Sequence, residues 1–287
     1  MKVLVLGGTR FFGVHLVRAL TAQGHDVTIA TRGRTPDPFG NTVRRIAVDR
    51  TDGAAMARAF AGQGYDAVCD DIAYCSNDVR RALDTVRCSR YVLVSSVSLY
   101  ERWHLGLTES EFLPERAAVH WGERADFAYD EGKRQAEAVL AQSALGGSCA
   151  MVRFPFVVGP DDYTRRLRFY IEHAAQGVPM AADGLDAQMS FIDSQEAGRF
   201  LAFLLQAPLS GPVNAAATGT VTLRELLQSV ERQTGKPPLF APDGDPAPYN
   251  GVTDFSLDTA KAQAAGFAFS KLRDWIFPLV ETYLQEA

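Results

Sequence analysis

The stretch Val3-Leu4-Val5-Leu6-Gly7-Gly8-Thr9-Arg10-Phe11-Phe12-Gly13 decides how the rest of the chain is read. Its apolar start shows no alternation and carries the β-branched Val3 and Val5, the pattern of a strand buried on both faces in a parallel sheet. The run breaks at Gly7-Gly8, where a tight turn and a close backbone approach to a phosphate are sterically free, and Gly13 lets the next helix pack tightly on the strand. That helix, predicted over 12–23, places Leu16, Ala19 and Leu20 on one face. Its first N–H groups have no partner inside the helix and point at the turn, which makes the turn an anion site.

A second β-rich run, 25–31, completes a strand–helix–strand unit within about thirty residues, as a dinucleotide site requires. NAD-specific sites usually end this strand with Asp or Glu, which accepts from the ribose hydroxyls. This chain has Thr31-Arg32-Gly33-Arg34 instead. Arg32 cannot accept, but it can pair with a 2′-phosphate, and Arg10 is a second cation that the glycine turn could hold over the same group. The pattern favours NADP over NAD, with a pair of solvated surface arginines as the alternative.

Further along, strands are predicted at 43–48, 65–69, 90–95 and 149–154, and helices at 54–61 and 77–86, an alternation that specifies an α/β fold with a doubly wound parallel sheet. Asp49 and Arg50 end the third strand and are candidate cofactor contacts, where Asp49 either meets an adenine or caps a helix. Ile72 and Ala73 follow the fourth strand and are further candidate cofactor contacts. The fifth strand ends in Ser95-Ser96-Val97-Ser98, which puts hydroxyls at the carboxyl edge of the sheet, where such folds bind ligands, although serines also form turns. In Tyr129-Asp-Glu-Gly-Lys133 the four-residue spacing places phenol and ammonium on one helix face. A nearby ammonium favours the charged form of a phenol and so moves it toward use as an acid/base at neutral pH.

After Pro160 the character changes. A helix over 161–176 carries Arg165, Arg166 and Arg168, which are either anion contacts or a solvated face. Short strands are predicted at 189–193 and 211–215, helices at 194–205, 222–234, 258–264 and 271–285, and a Pro- and Gly-rich loop at 236–251. The expected division is a dinucleotide-binding domain over 1–160, rejoined by short segments near 189–215, and a smaller substrate lobe from 161–188 and 216–287.

Composition narrows the functional classes. The net charge of -5 offers no field for the phosphates of a nucleic acid, so no nucleic-acid partner is expected. Cys69, Cys75, Cys88 and Cys149 form neither a Cys-x-x-Cys pair nor a Cys/His cluster, which points to small buried thiols, no structural metal and a cytoplasmic protein. The N-terminal apolar run is too short to span a bilayer, and no membrane association is expected.

Taken together, Gly7 to Gly13, Ser95-Ser96 before Tyr100, Tyr129-x-x-x-Lys133, Arg153-Phe-Pro-Phe-Val-Val-Gly159-Pro160, Phe191-Ile-Asp193, and Asn214 before Thr222-Leu-Arg-Glu225 resemble the extended and atypical short-chain dehydrogenase/reductases, the NAD-dependent epimerase/dehydratase family. The resemblance implies a Rossmann-type fold with Tyr129 as acid/base, Lys133 as its partner and ribose ligand, and Ser96 orienting a substrate oxygen. Phe154 and Phe156 would border the nicotinamide, and Gly7, Gly8, Thr9, Arg10, Phe11, Phe12 and Gly13 would cradle the diphosphate. Ser98, Tyr163, Arg165 and Gln188 are candidate substrate contacts, for a substrate that in this family is often a nucleotide sugar; a homodimer is compatible with it, although no stripe marks one. Three departures stand out. Arg10 replaces the middle glycine, as in the atypical branch, some of whose members are RNA-associated, so a non-catalytic NADP-binding module is the second reading. Phe156 stands where nucleotide-sugar enzymes often have Asn. Val97 and Ser98 follow Ser96 where sugar 4,6-dehydratases carry an acidic pair, which argues against dehydration by that route.

Overall fold

The computed structural model describes residues 1–286. Parallel strands β1 (Lys2–Leu6), β2 (Asp26–Thr31), β3 (Arg44–Ala47), β4 (Gly64–Asp70), β5 (Arg87–Ser96), β6 (Cys149–Phe154) and β10 (Gly211–Asn214) form one sheet in the order β10-β6-β5-β4-β1-β2-β3. The order reverses at β1, so the loops after β1 and β4 diverge and open a crevice at the carboxyl edge. Helices α1 (Phe12–Ala22), α2 (Gly53–Phe60), α3 (Ser76–Thr85) and α4 (Tyr129–Ala141) supply the crossovers.

Several boundaries differ from the sequence expectation for local reasons. The third strand is confined to Arg44–Ala47, and Asp49 does not cap the helix that follows it. Asp52 does, its carboxylate accepting from the Ala55 N–H at 2.9 Å, while Asp49 turns back on Thr51. Helix α5 (Arg166–Gln176) starts five residues later than 161, because Asp162 accepts from the Thr164 N–H and Arg165 takes a left-handed φ of 55° just ahead of it. The expected strand at 189–193 is β9 (Phe191–Asp193), and it pairs with β7 (Phe156–Val158) rather than with the main sheet.

One apolar core packs α2, α3 and α4 on Leu4, Leu6 and Leu93 of the sheet, and two more frame the crevice. In one, α1 and α6 (Ser194–Leu204) cover a face of the sheet. In the other, α5, α7 (Leu223–Thr234) and α9 (Leu272–Gln285) pack on Leu99, Tyr100 and Leu107 from the long β5–α4 connection. Short pairs β8 (Met180–Ala181) with β11 (Asp245–Pro246) tie down the Pro-rich loop. Helix α8 (Ala260–Ala264) sits against β10, and Phe267 and Phe269 pack on the core under α1 and α6, so this C-terminal stretch returns to the sheet although its sequence position places it with the lobe.

The joint between the cores is a buried polar network. Arg153 on β6 is wholly buried and pairs with Glu137 of α4 at 2.6 Å. It also donates to the Tyr100 hydroxyl at 3.0 Å and to the carbonyls of Glu109 and Phe112, each at 2.9 Å. Tyr100 in turn donates to Asn214 Oδ1 on β10 at 2.7 Å, and Asn214 Nδ2 donates to the Leu107 carbonyl. Removing one member strands the other as a buried charge. Arg153→Met should therefore cost about 3–5 kcal/mol in urea unfolding, and adding Glu137→Met should recover much of the loss; an unchanged unfolding midpoint in the single variant would show that the pair does not join the cores.

Candidate active site

Two cavities, of about 730 and about 450 Å³, meet at the carboxyl edge of the sheet and share walls at Gly7, Thr9, Arg10, Ile72 and Tyr74. The larger runs along the turn after β1 to the ends of β5 and β6; the smaller extends over the ends of β2 and β3.

The glycine turn forms their common edge. Gly7 and Gly8 adopt φ of 106° and 84°, and a Cβ on Gly13 would stand 2.6 Å from Asp71 Oδ2 and 2.9 Å from the Gly8 Cα. Phe11 enters α1 at φ 52°, a conformation that costs a non-glycine residue roughly 1–3 kcal/mol and that the surrounding packing must hold. Gly8 donates to Asp71. The N–H groups of Thr9, Arg10, Phe11 and Phe12 find no acceptor among the described residues and line the larger cavity or its edge, so they suit the diphosphate of a dinucleotide.

The smaller cavity is basic on one side. Arg32 and Arg34 are exposed on its rim, and Arg10 donates to Thr35 Oγ1 at 3.2 Å across the same mouth. Arg32 and Arg34 also help hold the Asp49 carboxyl below its ordinary value, after its hydrogen bonds from Thr51. Arg50 lines the smaller cavity, but its charge is already paired. Its guanidinium turns inward to Asp70, at 2.6 and 2.9 Å, and to the Asp78 carbonyl, and Tyr91 donates to the same Asp70.

At the reactive end, Tyr129 opens α4 and Lys133 follows one turn later. The Lys133 ammonium is buried and donates to the carbonyls of Ala73 and Val94, each at 2.8 Å. Two of its three protons are thus committed and one remains for the cavity. Nζ lies 5.9 Å from the centre of the Tyr129 ring. Tyr129 is 53% exposed, so the phenol stands at the cavity mouth above the lysine. Gly132 lets α4 approach this closely, since a Cβ there would lie 2.3 Å from the Tyr74 carbonyl oxygen. Ser96, the last residue of β5, accepts from the Ser98 N–H at 3.2 Å and keeps its own proton to donate. Ser98 also lines the cavity, its hydroxyl buried without a partner.

Phe154 and Phe156 both border the larger cavity, as does the exposed Tyr163. Ala73, expected beside the cofactor, is buried and contributes only its carbonyl to Lys133. Arg165 points away and pairs with Glu172 at 2.5 Å; Arg166 faces the cavity instead. Gln188 lies outside both cavities, accepting from the Thr220 hydroxyl at 2.6 Å. Four lining residues had no distinguishing signal in the sequence: Tyr74, Trp103, Asp71 and Arg124, whose guanidinium lies 4.2 Å from the Tyr74 ring and borders both cavities.

Burial raises the Asp71 carboxyl from its usual 3.8 to about 6. A raised acid favours its protonated form in the folded state, so the stability tied to that proton is present at low pH and lost as pH rises through about 6. Asp71→Asn keeps an acceptor for Gly8 and cannot ionise. Its gain in melting temperature over the parent should be small near about pH 3 and full-sized by about pH 7; a gain independent of pH would show that Asp71 does not titrate in this range.

The profile of the NAD dependent epimerase/dehydratase family matches residues 3–216. The 2′-dehydrokanamycin reductase of Streptomyces kanamyceticus is 31% identical over 264 residues, 86% of this chain and 70% of that protein. The chloroplast stem-loop binding protein of 41 kDa b of Arabidopsis thaliana is 26% identical over 205 residues, 66% of this chain; the chain spans about half of that relative, 50% of its length. Among solved structures, UDP-glucose 4-epimerase of Thermotoga maritima with UDP-glucose superposes at a TM-score of 0.77 with 17% identity, covering 100% of this chain and 99% of that one. The Thermus thermophilus UDP-glucose 4-epimerase complex with NAD superposes at 0.71 with 21% identity, covering 99% of each chain.

Proposed function

The chain belongs to the NAD-dependent epimerase/dehydratase family, and on that premise we propose that it is an NADP-dependent oxidoreductase or epimerase acting at a carbinol or carbonyl carbon of a sugar, nucleotide sugar or similar small molecule. The observation that carries this reading is the buried Lys133 ammonium, held by two carbonyls one helical turn from Tyr129, in a cavity continuous with the glycine turn. A buried ammonium is costly unless its protons are satisfied, and here the fold satisfies two and leaves one for the site.

The four free N–H groups of the turn would hold the diphosphate, and Arg10, Arg32 and Arg34 would surround a 2′-phosphate, where a carboxylate would instead bind ribose hydroxyls. A nicotinamide held there, bordered by Phe154 and Phe156, would supply hydride-transfer chemistry at the substrate carbon. Tyr129 gives a proton to the substrate oxygen during reduction and takes it back during oxidation, and Ser96 donates a hydrogen bond to the same oxygen. Lys133 places positive charge beside the phenol and orients a ribose hydroxyl. The acidic chain, at -5, supports this reading over a nucleic-acid-binding module.

Purified protein with NADPH and a panel of sugars, sugar nucleotides and small ketones tests the activity. Tyr129→Phe should lower kcat by roughly 10²- to 10⁴-fold while leaving the NADPH Kd unchanged; equal turnover would remove Tyr129 from the acid/base role. Arg32→Asp should weaken NADPH by about tenfold or more and spare NADH. Equal effects on both cofactors would sink the assignment to the 2′-phosphate.

A further inference from the structure

Of the arginines around the start of α5, one is left over. Arg165 and Arg168 both pair with Glu172, and Arg168 also pairs with Glu286. Arg166 enters no ion pair among the described residues. Its Nε donates to Thr164 Oγ1 at 3.2 Å, and its guanidinium lies 5.4 Å from the centre of the Phe156 ring. An arginine carries five N–H donors, so most of this one's capacity is unspent. The nearby Asp162 forms no ion pair with it: Oδ1 accepts from the Thr164 N–H and hydroxyl, and Oδ2 is buried without a hydrogen-bond partner.

Position gives the surplus a direction. Arg10 and Arg124 border both cavities and so belong with the cofactor, and Lys133 gives two protons to carbonyls and keeps the third beside Tyr129 for the ribose. Arg166 borders only the larger cavity, beyond Phe156, on the substrate side. The wall beside it is preorganised. Phe156 stacks on Tyr249 at 4.4 Å, Tyr249 on Tyr170 at 5.6 Å, and the Tyr170 hydroxyl accepts from the Tyr249 N–H. Trp103 packs against Phe255 at 4.6 Å and meets Phe156 edge-on. Among the described residues, the only carboxyl side chain in the lining is Asp71, under the glycine turn. A polycationic substrate would find no partner at this end.

We propose that the substrate carries an anionic oxygen group, a carboxylate or a phosphate, that docks on Arg166 while an adjoining flat or apolar part lies on Phe156 and Trp103. The inference rests on the reading of Tyr129 and Ser96 as the reactive end, because it places the anion across the same cavity from them. Specificity then comes from one charge-assisted contact and a rigid aromatic face.

Benzoate, its neutral counterpart benzamide, and phenyl phosphate are suitable probes, titrated calorimetrically into the protein with and without NADP. Benzoate or phenyl phosphate should bind at least about tenfold tighter than benzamide, and the tighter of the two identifies carboxylate or phosphate as the source of the charge. Arg166→Gln should erase that preference, Arg166→Lys should retain part of it, and the NADP Kd should stay unchanged in both. Equal binding of benzamide, or an anion preference that survives Arg166→Gln, overturns the proposal. Failure of the parent to bind NADP would count against the cofactor cleft, whereas the titrations without NADP judge Arg166 independently.

Discussion

The buried Arg153–Glu137 pair is the constraint on which the site depends. It joins the last residues of the sheet's β6 to the helix that carries Tyr129 and Lys133, at 2.6 Å and without solvent. The remaining guanidinium protons hold Tyr100 and the carbonyls of Glu109 and Phe112, so the long connection after Ser96 is fastened to the same point. Such a pair adds little net stability over a well-packed apolar substitute, because desolvation offsets much of the attraction. Its effect is geometric: few other arrangements satisfy five donors at once, so the helix, the connection and β10 are placed in one register.

The same logic of satisfied burial runs through the cleft. Asp70 absorbs Arg50 and Tyr91 beneath the cofactor cavity, and the carbonyls of Ala73 and Val94 hold Lys133. Among the groups that face the cavities, the turn N–H groups, one proton of Lys133, the Ser98 hydroxyl and the guanidinium of Arg166 keep capacity to spare. The cleft is thus divided chemically along its length. Backbone dipoles and arginines make the end after β1, β2 and β3 electropositive, while stacked aromatics with a single cation make the far end.

Much of the fold was legible because periodicity survives folding. The apolar runs Val3–Leu6 and Cys149–Val152 lie in fully or nearly fully buried strands, and the Tyr129/Lys133 spacing became one face of α4. The errors fell where a residue's partner is distant in sequence. Arg50, a candidate cofactor contact from its place after a strand, does line the smaller cavity, but Asp70 and Asp78 claim its guanidinium across the sheet. Arg165 and Arg166 are indistinguishable as text; the late start of α5 and the left-handed turn at Arg165 decide which one enters the cavity, since each residue along a helix rotates by about 100°. Gln188 gave no hint that Thr220 would occupy its side chain.

By itself, the sequence determined the alternating architecture, the glycine turn with its helix, and the Ser, Tyr and Lys on which the chemistry is proposed to rest. These depend on local periodicity, on positions that only glycine can fill, and on spacing within one helix. The tertiary structure alone decided which arginines are spent in ion pairs and which face the cavities, that Asp71 lies under the glycine turn, and that Phe156 stands in a stacked aromatic wall. Those outcomes follow from desolvation and pairing between elements far apart in the chain, and no local pattern encodes which of several similar charges will find a partner.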